Sequence, residues 1–122
     1  MSKILIVDDD VTMTSLIKTL LMMDGHEPTI VNESTKAVDL AATVNPDLIT
    51  LDLMMPVLSG FEVCELLRQD PRFANIPIMI VSASDDPESK FKARAAGATD
   101  YLTKPFGVDE LLEKIRALTR SA

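Results

Sequence analysis

The amino-acid sequence predicts an α/β fold, a three-layer sandwich in which helices cover both faces of a mostly parallel, five-stranded sheet. The first observation is a set of short, apolar runs, such as 4–7 and 48–51, which are typical of strands buried on both faces. The second is that longer stretches with apolar residues at helical spacing separate these runs. Because five strand-like runs alternate with five helical stretches, right-handed βαβ connections are the expected topology.

The strands are predicted from the apolar runs and from the residues that interrupt them. Glycine, proline and clustered aspartates follow most of the runs, and these residues favour turns and loops. The run that leads to Asp52 and breaks at Pro56 has the clearest limits. The five predicted strands are 4–7, 28–31, 48–51, 77–81 and 100–102.

The helices are predicted from apolar residues that recur every three or four positions. They span 11–23, about 37–44, 59–68, 87–96 and a last stretch beginning near 108. Asn32 or Ser34 is the expected N-cap of the second helix, and Gly97 the expected end of the fourth. Phe91 is the only large apolar residue of that fourth helix, so we expect its packing to be loose. The residues expected to face the core in the other helices include Leu16, Ile17, Leu20, Leu21, Phe61, Val63 or Cys64, Leu67, Val108, Leu111, Leu112, Ile115 and Leu118.

The composition limits the classes of protein that fit. The chain has 122 residues, enough for one domain with a sizeable core, and we expect that domain to span 1–122. Twelve basic against nineteen acidic residues give a net charge of 12 − 19 = −7, which argues against direct binding of nucleic acid or of an anionic membrane. Cys64 is the only cysteine, so no internal disulfide is possible. Because the sequence has no apolar run of membrane-spanning length and no signal-peptide pattern, we expect a cytoplasmic protein.

Five polar side chains stand at the carboxyl ends of predicted strands. Asp8 and Asp9 follow the first strand, and Asp52 ends the third. Ser82 ends the fourth strand, and Lys104 follows the fifth. Because the carboxyl ends of parallel strands share one edge of a sheet, we expect these side chains to converge there. In doubly wound sheets of order 2-1-3-4-5, ligands bind where the strand order reverses, which is between the first and third strands.

The charges of this group suggest a metal site and a nucleophile. Three carboxylates in one crevice carry a charge of −3, which a divalent cation and Lys104 would balance. Oxygen ligands of this kind suit Mg²⁺, whereas zinc is disfavoured because the chain has one histidine and one cysteine, both elsewhere in the sequence. With a metal bound, Asp52 can act as a carboxylate nucleophile toward phosphorus and form an acyl phosphate. Ser82 could donate a hydrogen bond to a phosphoryl oxygen, and Lys104 could neutralise its charge.

Four short segments, taken together, resemble the receiver domain of two-component response regulators. They are Ile6-Val7-Asp8-Asp9-Asp10, Leu51-Asp52-Leu53-Met54-Met55-Pro56 with Ser59-Gly60, Val81-Ser82-Ala83, and Tyr101-Leu102-Thr103-Lys104-Pro105-Phe106. Each segment alone is weak, but their order and distances are specific, and the resemblance covers nearly the whole chain. It implies a flavodoxin-like fold with strand order 2-1-3-4-5, similar to that of the single-domain chemotaxis regulators.

The resemblance also implies a role for each site residue. Asp52 would be the phosphorylated residue and would contribute to the metal site. Asp9 would bind Mg²⁺ directly, Asp8 mostly through water, and Met54 through its backbone carbonyl. The phosphoryl donor would be a phosphohistidine on a sensor histidine kinase or on a histidine phosphotransfer protein, and slow self-catalysed hydrolysis would follow.

In this family a hydroxyl and an aromatic ring form a switch, which here corresponds to Ser82 and Tyr101. On phosphorylation the hydroxyl is drawn toward the phosphoryl group, and the ring turns inward to fill the space. The surface of the fourth helix, last strand and last helix then changes shape, and it would bind a downstream protein or a second copy of the chain. The resemblance also implies a cis bond between Lys104 and Pro105. No output domain is expected within these residues, which leaves a free-standing regulator or a fragment. Because the sequence starts at Met1 and stops soon after the last predicted helix, we expect a free-standing regulator.

Other functions and other residue roles stay open from the sequence. A Mg²⁺-dependent phosphohydrolase with an aspartyl-phosphate intermediate would need a second acid two residues after the nucleophile, where this chain has Met54. A flavin or dinucleotide binder would need a glycine-rich first turn, which here consists of three aspartates. We therefore expect a phosphorylation-controlled binding module and not a turnover enzyme, with Met54 shielding the phosphoryl group or filling a gap. Asp10 is the aspartate expected to cap the first helix, and Tyr101 could simply pack.

Overall fold

The computed structural model describes residues 2–120 and has the predicted α/β architecture. Met1, Ser121 and Ala122 lie outside the described residues, and so do both predicted bounds of the domain. The strands are β1 (Lys3–Val7), β2 (Glu27–Val31), β3 (Leu48–Leu51), β4 (Ile78–Ser82) and β5 (Asp100–Thr103). The helices are α1 (Val11–Met23), α2 (Ala37–Val44), α3 (Gly60–Gln69), α4 (Pro87–Ala96) and α5 (Val108–Thr119). Short 3-10 turns at Ser34–Lys36 and Pro71–Phe73 precede α2 and β4.

The five strands form one parallel sheet in the order β2-β1-β3-β4-β5, which confirms the predicted fold. Val7, the last residue of β1, is the register partner of Leu51, the last residue of β3. Both strands therefore end at the same height, and the residues that follow them lie side by side. The strand order reverses at this point, where open α/β sheets bind their ligands.

The sheet is buried on both faces because alternate residues of each strand point to opposite sides. On one face, residues of α2, α3 and α4 pack with strand side chains that include Leu5 and Ile80. On the other face, residues of α1 and α5 pack with Ile4 and Leu48. Every residue of β3 is at most 1 % exposed, as the apolar run predicted. All of β3 and the last four residues of β1 are therefore buried where these strands lead into the edge with the polar residues.

Helix ends are set by residues with the expected capping chemistry. Asp10 caps α1 by accepting a hydrogen bond from the Met13 N–H, 3.1 Å away, as predicted. Ser59 and Glu62 form a reciprocal capping box at the start of α3. Gly97 ends α4 with a left-handed φ of 111°, a conformation that favours glycine. The longest described helix, α1, has 13 residues, and none of the helices within 2–120 is long and apolar enough to cross a membrane.

The core differs from the prediction at the margins of three helices. Leu16 and Val108 were expected in the core, but each is 48 % exposed. Val63 and Cys64 are both buried, whereas Phe61 is only half-buried. These side chains lie at the borders of apolar stripes, where spacing alone does not distinguish the inner from the outer face of a helix.

The predicted N-cap of α2 is wrong. Lys36 occupies the N-cap position and makes no side-chain capping bond, because a 3-10 turn leads into the helix. The side chains of Asn32 and Ser34, which were the candidates, instead bond to loops at the carboxyl edge of the sheet. These two residues therefore belong to the surroundings of the site and not to the helix.

Helix α4 packs through small side chains. Ala93 is the one buried residue among its ten, and Phe91 is 74 % exposed. A groove of about 350 Å³ lies beside it, against α3. Loose packing of this helix stays a prediction.

Candidate functional site

Three carboxylates meet at the carboxyl edge of the sheet, between β1 and β3. Asp8 and Asp9 follow Val7, and Asp52 follows its register partner Leu51. One carboxylate oxygen from each aspartate lies within 4.8 Å of the others. Asp8 and Asp52 are 3 % and 8 % exposed, whereas Asp9 is exposed. The group is therefore open to solvent on one side and enclosed on the other.

Lys104 brings the one cation that pairs with these carboxylates among the described residues. Its Nζ lies 2.8 Å from Asp8 Oδ2 and 3.8 Å from Asp52 Oδ2. Its backbone N–H donates to the Ser82 carbonyl at 2.8 Å, which ties the loop after β5 to the end of β4. The Lys104–Pro105 bond is cis. Asp8, Asp9, Asp52 and Lys104 form what we call the carboxyl-edge cluster.

The electrostatics of this cluster leave Asp52 poorly stabilised as an anion. Burial, followed by the negative charge of Asp8, raises the pKa of Asp52 to about 6, and Lys104 and the Met54 backbone only partly oppose that shift. Three carboxylates against one ammonium leave a formal charge of −2 in a partly buried space. Hard oxygen donors in this number could hold a divalent cation, which would balance that charge.

The backbone around the carboxylates is held by local bonds. The Asp8 carboxylate accepts a hydrogen bond from the Asp10 N–H at 3.0 Å, and the Asp8 N–H donates to Val31 O at 3.1 Å. After β3, the Gly60 N–H donates to Leu53 O at 2.9 Å. A Cβ at Gly60 would lie 2.6 Å from Leu53 Cα, so only glycine lets α3 begin this close to Asp52.

Ser82 and Tyr101 lie at the same edge and share the loop between β4 and α4. Ser82 is fully buried at the end of β4, and its Oγ accepts from the Ser84 N–H at 3.2 Å. The Tyr101 hydroxyl donates to the Ser84 carbonyl, and burial raises the pKa of that phenol. Lys90 lies 5.7 Å above the Tyr101 ring. The serine and the tyrosine thus bond to the same residue of one loop.

Met54 and Met55 have different environments. Met55 is partly buried against the core, so it fills space as expected for a flexible apolar residue. Met54 is 69 % exposed, which excludes the gap-filling role for that residue. Its proposed use of a backbone carbonyl toward a metal stays a prediction.

Some residues near the site were not found from the sequence. Asn32 donates to Asp8 O, Thr14 bonds to Asn32, and Ser34 donates to Pro56 O. Polar residues after a weak strand resemble a helix start, so the sequence gives no signal that they reach two other loops. One hint was present in the sequence. Thr14 is a polar residue on an apolar helix face, and a buried hydroxyl needs a hydrogen-bond partner.

The fold and the cluster together define a class of protein. It is a parallel α/β domain that presents a carboxylate beside a possible cation site, at the point where the strand order reverses. The chain belongs to the response regulator receiver domain family, which matches residues 4–116. Such domains are the receivers of two-component signalling systems.

Individual relatives agree with this membership. The chain is 43 % identical over 120 residues to the DNA-binding dual master transcriptional regulator RpaA of a Synechocystis species, covering 98 % of this chain and 50 % of that protein. The chain therefore spans about half the length of this relative. The chemotaxis protein CheY4 of Vibrio cholerae superimposes with a TM-score of 0.92 at 30 % identity, over 97 % of this chain and 98 % of that one.

A third similarity concerns a receiver domain with a metal. The receiver domain of a Pseudomonas aeruginosa sensor histidine kinase was solved with a magnesium ion coordinated in its active site cleft. It superimposes with a TM-score of 0.90 at 28 % identity, and the match covers 98 % of each chain. The fold of the present chain is thus shared along nearly the full length of both structures.

Proposed function

We propose that this domain accepts a phosphoryl group on Asp52 and uses it to control the binding of a partner. The observation that supports the proposal most is a buried carboxylate whose pKa is raised to about 6, placed among Asp8, Asp9 and Lys104. A carboxylate left partly unsatisfied by its own fold is a good candidate for covalent chemistry. The proposed domain comprises residues 1–122.

The donor we infer is a phosphohistidine on a sensor histidine kinase or on a histidine phosphotransfer protein. An Asp52 carboxylate oxygen attacks phosphorus, an O–P bond forms, the N–P bond breaks, and the imidazole leaves with its electron pair and takes up a proton. The Lys104 ammonium, already 3.8 Å from Asp52, would pair with a phosphoryl oxygen. The Ser82 hydroxyl would donate to another.

The cation we propose is Mg²⁺, held by Asp9 directly, by Asp8 mostly through water, by Asp52, and by the Met54 carbonyl. Three oxygen donors on one side suit an ion that retains several waters. When bound, Mg²⁺ would neutralise charge on the phosphoryl oxygens. The magnesium in the related Pseudomonas aeruginosa domain supports this choice.

The output we propose is a change of the α4-β5-α5 surface. Ser82 would move toward the phosphoryl group, and the Tyr101 ring would turn inward to fill the space that Ser82 leaves. Phosphorylation would thus shift the equilibrium between two packing arrangements of these side chains. The partner would be a downstream protein or a second copy of the chain. With a net charge of −7 we expect no direct contact of this domain with nucleic acid, although RpaA is by name a DNA-binding protein.

The proposed activity is self-catalysed and slow, and it is not that of a turnover enzyme. A phosphohydrolase would place an acid two residues after Asp52, and Met54 stands there. The exposed Met54 side chain would cover the phosphoryl group and slow attack by water. We also propose a cytoplasmic location, a reducing compartment that suits a chain with one cysteine, Cys64.

Met54→Asn tests the shielding role. Because asparagine can bind and orient a water that methionine excludes, we expect the phosphorylated variant to lose its phosphoryl group severalfold faster than the parent. The loss is followed by intact mass after removal of the donor. A lifetime equal to or longer than that of the parent would count against shielding.

The function as a whole is tested by incubating the protein with Mg²⁺ and a small phosphodonor such as acetyl phosphate. Intact mass should show one added phosphoryl group, and peptide mapping should place it on Asp52. Asp52→Asn should show none, whereas Asp70→Asn, a surface aspartate paired with Arg72, should behave as the parent. If Asp52→Asn gained as much phosphoryl mass as the parent, the proposal would be overturned.

A further inference from the structure

The loop between β2 and α2 carries none of the carboxyl-edge cluster, yet it bonds to both loops that supply the carboxylates of that cluster. Asn32 Nδ2 donates to Asp8 O at 2.8 Å, on the loop after β1. Ser34 Oγ donates to Pro56 O at 2.8 Å, on the loop after β3. Two residues that are two positions apart therefore bond to the two loops that supply the carboxylates.

The contact from Asn32 fixes one particular peptide group. Asp8 O belongs to the peptide that joins Asp8 to Asp9, so a bond to that oxygen limits rotation of the segment between the two carboxylates. The same amide group donates to Thr14 Oγ1 at 3.1 Å, and Thr14 in turn donates to Val11 O at 3.1 Å. Thr14 is fully buried, so this chain of bonds has a rigid end.

The contact from Ser34 fixes a strained turn. Leu58 N–H donates to Pro56 O at 2.9 Å and to Ser34 Oγ at 3.2 Å, which closes a tight turn with Val57 at its tip. Val57 has a φ of 71°, a conformation that a β-branched residue adopts only when its surroundings impose it. Ser34 is 5 % exposed and supplies two of the bonds that do so.

The bonds from Asn32 and Ser34 are polar links between these loops, added to the apolar contacts that Leu53, Met55 and Leu58 make with the core. A groove of about 130 Å³ separates them on the outer side, lined by Asn32, Glu33, Ser34, Thr35, Pro56 and Val57. Meanwhile three carboxylates lie within 4.8 Å of one another, and their mutual repulsion favours spreading of the loops that carry them. Lys104 pairs with two of these carboxylates, and the bonds from Asn32 and Ser34 add further resistance to spreading before any cation is bound.

We propose that Asn32 and Ser34 are positioning residues that hold the Asp8–Asp9 loop and the Asp52 loop at the separation a divalent cation requires. They touch neither the cation nor a phosphoryl group, and they act by restraining backbone. The inference rests on the proposed function for the identity of the cation, Mg²⁺. The proposal gives a positioning role to two residues whose place in the sequence, just before a predicted helix, suggested an N-cap.

The test measures Mg²⁺ binding to the whole chain by calorimetry, without any phosphodonor. Asn32→Ala should raise the Mg²⁺ dissociation constant roughly tenfold, as is typical when a group that orients metal ligands is lost. Ser34→Ala should raise it by less, since the loop after β3 keeps its bond from Gly60 to Leu53. Asn75→Ala and Thr43→Ala, an amide and a hydroxyl away from these loops, should leave it unchanged.

Asn32→Asp separates positioning from charge. It has the shape of asparagine but cannot donate to Asp8 O, and it adds a negative charge near the cation. Positioning predicts weaker Mg²⁺ binding than in the parent, whereas a purely electrostatic site predicts tighter binding. Tighter binding by Asn32→Asp, or parental binding by Asn32→Ala, would overturn the proposal. Thermal unfolding without Mg²⁺ shows that each variant is folded before it is titrated.

A second measurement distinguishes failure of this inference from failure of the proposed function. The rate of phosphorylation by acetyl phosphate is measured across a range of Mg²⁺ concentrations. Asn32→Ala should need more Mg²⁺ for half-maximal rate and yet come within about twofold of the parental rate at saturation. A parent that binds Mg²⁺ but takes up no phosphoryl group refutes the function alone. A parent that is phosphorylated, with both alanine variants parental in Mg²⁺ affinity, refutes the positioning role alone.

Discussion

Two ionic clusters lie at opposite edges of the sheet, and the pKa of an aspartate is raised in one and lowered in the other. In the carboxyl-edge cluster, burial and the charge of Asp8 raise the pKa of Asp52 to about 6. At the other edge, Asp24, His26 and Arg116 form what we call the amino-edge cluster. There Arg116 holds both oxygens of Asp24, at 2.6 and 3.0 Å, and lowers the pKa of that carboxyl.

The difference lies in whether the fold itself satisfies the ionised form. Asp24 has a guanidinium in bidentate contact and an imidazole 3.2 Å away, so its anion is stabilised without any ligand. Asp52 shares one ammonium with Asp8 and is left with excess negative charge. A carboxylate that its own fold leaves unsatisfied marks the place where a ligand is expected, whereas a satisfied one ties two elements together.

The largest expected effect comes from breaking the backbone approach beside Asp52. Gly60→Ala would place a Cβ 2.6 Å from Leu53 Cα, and closer still to the Asp52 carbonyl oxygen. Because both atoms are backbone, the start of α3 and the backbone of Asp52 and Leu53 must shift apart, which should cost about 3 kcal/mol of unfolding free energy. Phosphorylation by a small donor should be lost as well, because Asp52 moves with its carbonyl.

A matched glycine shows whether this effect belongs to the site. At Gly107 a Cβ would meet no atom within 4 Å. Gly107 is the N-cap of α5, where alanine is less favourable than glycine, so Gly107→Ala should cost less than about 1 kcal/mol and keep the phosphorylation rate of the parent. If Gly60→Ala and Gly107→Ala were equally stable, the close approach of the position 60 backbone to Asp52 and Leu53 would not be needed for folding.

The next largest effect should come from removing the cation of the carboxyl-edge cluster. Lys104→Met keeps an unbranched side chain one atom shorter than lysine but leaves phosphoryl oxygens without the positive charge, so the rate of phosphorylation should fall on the order of 100-fold. Lys114→Met is the control, since Lys114 pairs with the half-exposed Asp100 at 3.3 Å on the surface. A parental rate for Lys104→Met would remove the lysine from the chemistry.

The sequence predicts the carboxyl edge better than it predicts the surroundings of that edge. Asp8, Asp9 and Asp52 follow apolar runs, and the rule that parallel strands end together brings them to one place. Asn32 and Ser34 could not be placed in this way, because a side chain that bonds to another loop has no periodicity. The same holds for Arg116, whose partner Asp24 is 92 positions away in the chain. The spacing of apolar residues predicts which face of a helix or strand is buried, but it does not predict contacts between loops.

A smaller effect, with a pH dependence, should distinguish the clusters in the absence of metal. A carboxyl whose folded-state pKa of about 6 exceeds its ordinary value of 3.8 favours folding at low pH, and that contribution is lost as the pH rises from 3.8 through 6. Asp52→Asn carries no charge, so it should be more stable than the parent at pH 8. We expect a gain on the order of 1 kcal/mol, allowing for the water that still screens this carboxylate.

The gain from Asp52→Asn should shrink toward pH 5, where Asp52 in the parent is protonated. Chemical unfolding at several pH values, in buffer containing a chelator, measures it. With Mg²⁺ added at pH 8, the parent should be more stable than Asp52→Asn. The cation stabilises the folded parent, whereas the variant has lost one of the ligands. A gain independent of pH would show that burial does not disfavour the Asp52 anion.

The smallest effect is expected at the amino-edge cluster, and it should have the opposite pH dependence. Arg116→Ala removes the guanidinium that lowers the pKa of Asp24, so the variant should be slightly less stable than the parent at neutral pH. A carboxyl with a lowered folded-state pKa contributes stability above its ordinary value of 3.8, and that contribution is lost as the pH falls through the lowered pKa. The difference between variant and parent should therefore disappear in acid, and it should shrink at high salt because the Arg116 side chain is 52 % exposed. Phosphorylation of Asp52 should be unaffected, and a slower rate in Arg116→Ala would mean that the two edges are coupled through α5.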